Sequence, residues 1–149
     1  MKYLILIFWT FLSSYSMTGK VVKVLDGDTI VILLSGNKQE RIRLLDIDAP
    51  EKGQPFGDKS KQYLSDMVAG KTVRIEYKER DQYGRILGTV FVDGKIVNEE
   101  MVKVGLAWQY YYSKNKRFAE FEAEAKRKRL NIFSDPNAIN PYLYRRGIK

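Results

Sequence analysis

The sequence predicts a single domain of the α+β class that is mainly β. Short apolar or alternating segments recur between turn residues from Lys20 onward, and one helical segment lies between the third and the fourth of them. The 149 residues, 44% hydrophobic and 13% aromatic, are sufficient for one hydrophobic core. Five antiparallel strands with a helix after the third are typical of a small barrel of the oligonucleotide-binding type (OB fold). An open α+β sheet is the alternative.

The first three strands are predicted to form a meander. Residues 21–25 lead into Asp26-Gly27, a typical hairpin turn, and the chain returns over residues 30–34. After a second turn, residues 41–45 give the third strand.

One helix is predicted after the meander. A loop at residues 50–57 contains several Gly and Pro residues, which disfavour regular structure. Apolar residues then recur at helical spacing over residues 60–68, with Asp58 as the expected N-cap and Gly70 as the stop signal.

Two strands and two further helices complete the predicted order. Residues 73–78 alternate between apolar and charged side chains, and residues 86–92 follow the next turn. Asn98 is expected to cap a short helix that ends at Gly105. The last helix is predicted near residues 117–130.

The composition excludes several kinds of chemistry. The chain has no cysteine and no histidine, which rules out thiol catalysis, a Ser-His triad and the usual zinc ligands. Its formal net charge is +8, a surplus that favours anionic partners such as nucleic acid.

The N-terminus resembles a secretory signal peptide over residues 1–16. Lys2 precedes an apolar run at residues 3–12, and Ser14 and Ser16 are small residues at the spacing that signal peptidase accepts. The run is too short to span a bilayer. We expect export to the periplasm or the medium, a mature domain over residues 17–149 and no stable membrane insertion of that domain. An uncleaved N-terminal anchor is the alternative.

Two acidic turns are candidates for a cation site. If the meander brings both turns to one rim of a barrel, Asp28 and Asp48 could share a hard cation, with the carbonyl of Ala49 as a further ligand. Calcium accepts such oxygen ligands readily. Taken alone, however, Asp26-Gly27-Asp28 is equally typical of an ordinary hairpin turn.

Three more residues could act on a phosphodiester beside such a cation. Glu51 could orient or deprotonate a water molecule, and the guanidinium groups of Arg43 and Arg85 could hold one phosphate. The structural alternatives are an ion pair of Arg43 with Asp46 or Glu51, and a solvated loop position for Arg85.

Aromatic residues at positions 108 and 110–112 precede Lys114, Lys116 and Arg117. Rings beside cations are suited to stacking on bases and holding phosphates. We expect about half of these rings to fill the core instead.

Several ordered motifs resemble the thermonuclease family, the staphylococcal-nuclease-like proteins. The matching stretches are residues 24–29, 41–51, 54–57, 81–85, 93–98 and 130–133. The resemblance implies a five-stranded OB-fold barrel with three helices. It also implies calcium-dependent cleavage of DNA and RNA on the 5′-oxygen side, which leaves 3′-phosphate ends.

The resemblance also implies a set of site residues. One calcium ion would bind Asp28, Asp48 and the Ala49 carbonyl; the catalytic residues would be Arg43, Glu51 and Arg85; Tyr83 and Tyr111 would lie near the bound nucleotide. Ala49 replaces a threonine of the staphylococcal enzyme, and the loop after Glu51 is shorter. Asp46 adds a carboxylate that could strengthen the cation site or pair with Arg41 or Arg43.

The sequence therefore predicts a monomeric, sequence-non-specific nuclease that acts on DNA and RNA and needs no obligate protein partner. A non-catalytic nucleic-acid-binding module is the first alternative. A cationic surface protein that binds acidic lipid or polysaccharide is the second, but it leaves the acidic residues unexplained.

Overall fold

The computed structural model describes residues 13–148. Within them the chain forms eight strands and four α-helices. Strands β1 to β8 comprise Tyr15–Asp26, Thr29–Leu33, Gln39–Leu44, Ile47–Asp48, Thr72–Arg80, Ile86–Val92, Lys95–Ile96 and Trp108–Gln109. Helices α1 to α4 comprise Gly57–Val68, Val97–Lys103, Lys116–Arg127 and Pro141–Arg145.

Five strands close into a barrel, as the sequence predicts. The strand order is β3-β2-β1-β5-β6, and a pairing between β3 and β6 completes the ring. The prediction of five antiparallel strands is wrong for that last pair, which is parallel. A closed ring with an odd number of strands cannot alternate in direction throughout, so one neighbouring pair must be parallel.

The barrel interior is filled by aliphatic side chains from every strand, and α1 and α2 pack against it. The largest fully buried side chains include Ile30, Ile32, Ile42, Ile75, Ile86, Leu64 and Met101. Full burial of one such side chain stabilises the fold by about 1.5–3 kcal/mol. Gly88 on β6 is needed for this packing, because a Cβ there would lie 2.6 Å from Ile75 Cγ2.

The N-terminal strand overlaps the predicted signal peptide. Residues 1–12 of that segment lie outside the described residues. Tyr15 and Ser16 belong to β1 and pair with Tyr77 and Glu76 of β5, so cleavage after Ser16 would shorten β1 by two residues. No helix among residues 13–148 is both long and apolar enough to cross a bilayer.

Helix α1 begins differently from the prediction. Its N-cap is Phe56, in the left-handed region with φ +68°, and no side chain caps the helix. Asp58 lies inside the first turn, where its charge favours the positive end of the helix dipole but does not replace a cap. Gly70, with φ +72°, follows the end of the helix as predicted.

Asn98 has a different role from the predicted cap. Helix α2 has Ile96 as its N-cap, and Asn98 lies within the helix, fully buried. The Asn98 amide accepts a hydrogen bond from the Val90 N–H and donates to the carbonyls of Leu45 and Gly88. Buried backbone groups must be paired, so this one side chain joins α2 to two segments of the barrel.

The C-terminal part of the chain contains one helix more than the three implied by the family resemblance. Helix α3 has Asn115 as its N-cap and ends three residues before the predicted position. Helix α4 follows with Asn140 as its N-cap and Pro141 in its first turn. A helix of five residues contains too little periodicity to be predicted from its apolar pattern.

Replacement of Asn98 by Ala should lower the free energy of unfolding by about 2–4 kcal/mol, because it leaves one buried N–H and two carbonyls with fewer partners. Urea denaturation followed by tryptophan fluorescence measures this change. Asn137→Ala, at an exposed position, is the matched control. A loss below about 0.5 kcal/mol, the usual range of surface substitutions, would contradict the structural role of Asn98.

Candidate active site

The hairpin turn between β1 and β2 positions the first acidic group. The Asp28 N–H donates to Asp26 Oδ1 at 3.0 Å, which stabilises the turn locally. Gly27 lies against α1, where a Cβ would be 1.9 Å from Ser60 Oγ and 2.8 Å from Ala49 Cβ. Glycine is therefore required for the turn to approach the helix this closely.

Asp28 is buried and held by two hydrogen bonds. Thr29 Oγ1 donates to Asp28 Oδ1 at 2.9 Å, and the Ala49 N–H donates to Asp28 Oδ2 at 2.7 Å. The second bond joins the turn to Ala49, the residue that follows β4, and Asp48 at the end of β4 is only 1% exposed. The two acidic turns of the sequence thus meet in the structure.

Arg43 lies between these two carboxylates. Its Nη2 atom is 3.3 Å from Asp28 Oδ2 and 3.2 Å from Asp48 Oδ1. Its Nη1 atom donates to the carbonyls of Leu44 and Ile47. The ion pair considered for Arg43 exists, but its partners are Asp28 and Asp48 and not Asp46 or Glu51.

The close carboxylates influence each other's protonation. Burial of the carboxyl group, followed by the negative charge of Asp28, raises the pKa of Asp26 from 3.8 to about 7. Burial also acts to raise the pKa of Asp28, but the charge of Arg43 and the hydrogen bonds from its neighbours outweigh it, and that pKa is lowered. Asp28 therefore ionises at lower pH than Asp26.

Glu51 reaches the site from the loop after β4, and its side chain is 38% exposed. Its carboxylate accepts a hydrogen bond from Arg145 Nη1 at 2.6 Å. Arg145 also donates to both oxygens of Asp48, at 3.1 and 2.8 Å. These two carboxylates raise the pKa of Arg145 above its ordinary value.

Sequence reasoning missed Arg145. Its partners lie 94 and 97 positions earlier in the chain, and no local pattern joins them. The Asn140-Pro141 helix start was a usable signal for α4, but it gives no information on where the helix packs.

Arg85 and Tyr83 also line the cleft that contains Arg43, Asp28 and Asp48. Arg85 Nε donates to Asp81 Oδ2 at 2.7 Å, and the guanidinium carbon lies 5.4 Å from the Tyr83 ring centroid. Tyr83 is 75% exposed. The predicted arginine thus lines the cleft without contacting the carboxylates near Arg43.

Four tyrosines form a cluster near the cleft; this tyrosine cluster consists of Tyr110, Tyr111, Tyr112 and Tyr142. The Tyr111 and Tyr142 rings are stacked with centroids 4.5 Å apart, and the Tyr112 and Tyr142 hydroxyl oxygens are 2.5 Å apart. Trp108 is instead buried edge-on against Phe133. Of the predicted aromatic run only the tryptophan is buried, fewer than the expected half.

Asp46 does not form the ion pair with Arg41 or Arg43 that was considered for it. It has φ +65° and accepts hydrogen bonds from Ser113 Oγ at 2.8 Å and Asn115 Nδ2 at 3.3 Å. It fixes the segment after β8 to the turn before β4 and does not pair with Arg41 or Arg43.

The assembled cleft has a volume of about 1640 Å³. Its walls include most of the predicted site residues together with Arg145. These are Asp28, Asp48, Arg43, Arg85, Glu51, Tyr83 and Arg145. Tyr111, the other residue predicted to lie near a nucleotide, is exposed beside the cleft in the tyrosine cluster.

A divalent cation would find only oxygen ligands here. Asp28 and Asp48 both contact the same guanidinium nitrogen, so their carboxylates face each other across a short distance. Within residues 13–148 no group of three or more Asp, Glu, His or Cys side chains could hold an ion. The two carboxylates, a backbone carbonyl such as that of Ala49 and water molecules fit a hard cation such as calcium.

The comparisons with known proteins agree with this fold. The family model described as staphylococcal nuclease homologue matches residues 41–135. An uncharacterized endonuclease of Haemophilus influenzae is 43% identical over 97% of this chain and 84% of that protein. A micrococcal nuclease of Shigella flexneri is 44% identical over 88% of this chain and 82% of its own length.

An uncharacterized endonuclease of Escherichia coli is similar too, with 45% identity over 85% of this chain and 84% of that protein. The chain belongs to the staphylococcal nuclease homologue family. The predicted family and OB-fold barrel are thereby confirmed.

Gly27→Ala should reduce the free energy of unfolding by about 1–3 kcal/mol, because the new methyl group overlaps Ser60 Oγ and Ala49 Cβ. Chemical denaturation measures the loss. The double variant Gly27→Ala/Ser60→Gly removes the nearer obstacle and should recover part of the stability. Equal stability of the Gly27→Ala and wild-type proteins would contradict the close approach.

Asp26→Asn should change the pH dependence of stability in the presence of a chelator. Folding raises the pKa of the Asp26 carboxyl group from 3.8 to about 7, so the folded protein keeps the proton of this group to higher pH than the unfolded chain does. The contribution of this group to the stability of the folded wild-type protein is therefore complete below pH 3.8 and is lost as the pH rises to about 7. The variant cannot ionise, so its stability relative to wild type should increase between pH 4 and 7. A stability difference between Asp26→Asn and wild type that stays constant from pH 4 to 7 would refute the raised pKa.

Proposed function

We propose that this protein is a calcium-dependent nuclease without sequence specificity, which hydrolyses DNA and RNA on the 5′-oxygen side and leaves 3′-phosphate ends. The observation that carries the proposal is the meeting of Asp28, Asp48 and Arg43 in one cleft with Glu51 and Arg85 on its walls. Relatives named as micrococcal nuclease and endonuclease support the reaction class.

The two predicted arginines would bind the phosphate of the bond that is cleaved. Arg43 is fixed by two carbonyls and two carboxylates, so its guanidinium group is held in place before substrate binds. Arg85 is held by Asp81 and the Asp81 turn, and its side chain is 28% exposed. Charge that develops on the phosphate oxygens would be stabilised by both groups.

Glu51 would orient the attacking water and accept its proton. Its side chain is accessible to solvent and fixed by Arg145 at the edge of the acidic pair. A bound divalent cation would supply positive charge at the attacked phosphate and would lower the pKa of water at the site. Asp28 and Asp48, with the Ala49 carbonyl, are the groups that would hold it.

The absence of sequence specificity would follow from the kind of groups around the cleft. Arginine contacts to phosphate carry no sequence information, and stacking on tyrosine accepts every base. Tyr83 and the tyrosine cluster provide exposed rings in and beside the cleft that contains the catalytic groups. The net charge of +8 would attract either nucleic acid.

We also propose export of the protein, from the apolar run at residues 3–12 and the small residues Ser14 and Ser16. The mature protein would act as a monomer in the periplasm or the medium on nucleic acid that it meets there. Mass spectrometry of the secreted protein would identify its N-terminus.

Glu51→Gln, Arg43→Ala and Arg85→Ala should each reduce the cleavage rate by about 10²–10⁴-fold, since each removes a group that acts on the water or the phosphate. Digestion of a fluorescent oligonucleotide measures the rate, and circular dichroism confirms folding. Arg41→Ala, an exposed arginine on the same strand as Arg43, and Glu120→Gln on α3 are the controls. Near-normal turnover in any of the three site variants would show that its role is misassigned.

Removal of calcium should abolish cleavage of both nucleic acids. Plasmid DNA and a structured RNA are incubated with the protein in calcium or in excess chelator, and the ends of the fragments are identified. Cleavage that persists in chelator would contradict calcium dependence, and 5′-phosphate ends would contradict the proposed bond. Binding without any cleavage would favour the non-catalytic binding module.

A further inference from the structure

Arg145 makes the most extensive ionic contact in the cleft. Its two terminal nitrogens contact both oxygens of Asp48, and one of them also contacts Glu51 at 2.6 Å. The Arg145 side chain is 38% exposed, whereas the Asp48 side chain is 1% exposed. A solvent-accessible cation thus covers a buried carboxylate from the outside.

The helix that carries Arg145 is attached to the site by few other contacts. Helix α4 lies after residues 41–135, the part matched by the family model. The Ile139 carbonyl before it accepts a hydrogen bond from Gln54, and Tyr142 within it stacks on Tyr111 and forms a hydroxyl–hydroxyl hydrogen bond with Tyr112. Only Pro141 of α4 is buried. The ion pairs of Arg145 are therefore a major part of its attachment.

Arg145 and a divalent cation would need the same oxygens. Both oxygens of Asp48 accept hydrogen bonds from Arg145, and Oδ1 also accepts one from Arg43. A cation must coordinate carboxylate oxygens directly at about 2.3–2.6 Å. It would then lie a few ångströms from a guanidinium group, and repulsion at that distance is strong even with partial solvent screening.

We propose that Arg145 is an internal counter-ion for Asp48 and Glu51 that a divalent cation displaces, so that cation binding releases α4 from the cleft. The inference rests on the proposed function, because it assumes a cation at Asp28 and Asp48. Arg145 acts here as a positioning residue. Without the cation it holds the two carboxylates in place, and with the cation bound it leaves Glu51 free to contact water.

Two effects of this competition are linked by thermodynamics. If the cation weakens the attachment of α4 by some factor, the attachment of α4 weakens cation binding by the same factor. A variant that cannot form the ion pairs should therefore bind the cation more tightly. Its α4 should also be detached whether or not the cation is present.

Calorimetric titration with calcium, in the absence of nucleic acid, tests the first effect. Arg145→Gln should bind calcium about 10-fold or more tightly than wild type, because it removes a charge that competes for the same carboxylates. Arg146→Gln is the matched control, since Arg146 contacts the Tyr142 hydroxyl and no carboxylate of the site. Its calcium affinity should stay within about 2-fold of wild type.

Arg145→Lys keeps the charge but cannot contact both oxygens of Asp48 in the same plane. Its affinity should lie between those of wild type and Arg145→Gln. Unchanged or weaker calcium binding by a folded Arg145→Gln protein would overturn the inference and would show that Arg145 organises the carboxylates for the ion.

Hydrogen–deuterium exchange over residues 141–148 tests the second effect. Calcium should increase exchange there in the wild-type protein, whereas Arg145→Gln should exchange rapidly with and without calcium. Slower exchange in wild type upon calcium addition would overturn the inference.

The inference and the proposed function can fail separately. Calcium-dependent cleavage with equal calcium affinity in wild type and Arg145→Gln would leave the nuclease intact and remove the role of Arg145. Absence of calcium binding in both proteins, together with cleavage in chelator, would refute calcium dependence and the inference with it.

Discussion

The burial of two carboxylates beside each other is the constraint on which the rest of the site depends. Asp28 and Asp48 are almost without solvent contact, and such a pair is stable only if positive charge lies between them. Arg43 supplies that charge because β2 and β3 pair in a register that places Thr29 opposite Arg43. Asp28 immediately precedes Thr29, so the register between β2 and β3 brings the Arg43 guanidinium group to the acidic turn.

The parallel closure of the barrel places the second arginine. In the pairing of β3 with β6, Arg43 lies opposite Leu87, and Arg85 is two residues before Leu87 in the turn that precedes β6. The strand that closes the barrel therefore brings Arg85 to the same cleft as Arg43, although the two are far apart in sequence. The pairing of β3 with β6 thus both closes the barrel and brings the two arginines to one cleft. An open sheet, in which β3 and β6 did not pair, would separate Arg43 from Arg85.

Sequence patterns predicted what depends on local structure. Alternation and turn residues predicted the five barrel strands β1, β2, β3, β5 and β6 but not the two-residue strand β4, and the acidic turns and Glu51 were recognisable by type and spacing. The parallel pair was missed because local patterns carry no strand direction, and Asn98 was misassigned because its partners belong to β6 and the turn after β3. Arg145 was missed for the same reason: its partners are defined only once α4 packs against the cleft.

The position of Arg145 also connects the acidic pair with the tyrosine cluster. Tyr142 and Arg145 are three residues apart on α4, so they lie on neighbouring positions of one helix face. One stacks on Tyr111 and the other covers Asp48. Because a helix of two turns or fewer moves as a unit, a displacement of Arg145 also moves the Tyr142 ring. The carboxylates that would hold a cation and the exposed rings suited to a base are therefore connected through one short helix. If a cation displaces Arg145 as proposed, occupation of either site would change the free energy of occupying the other.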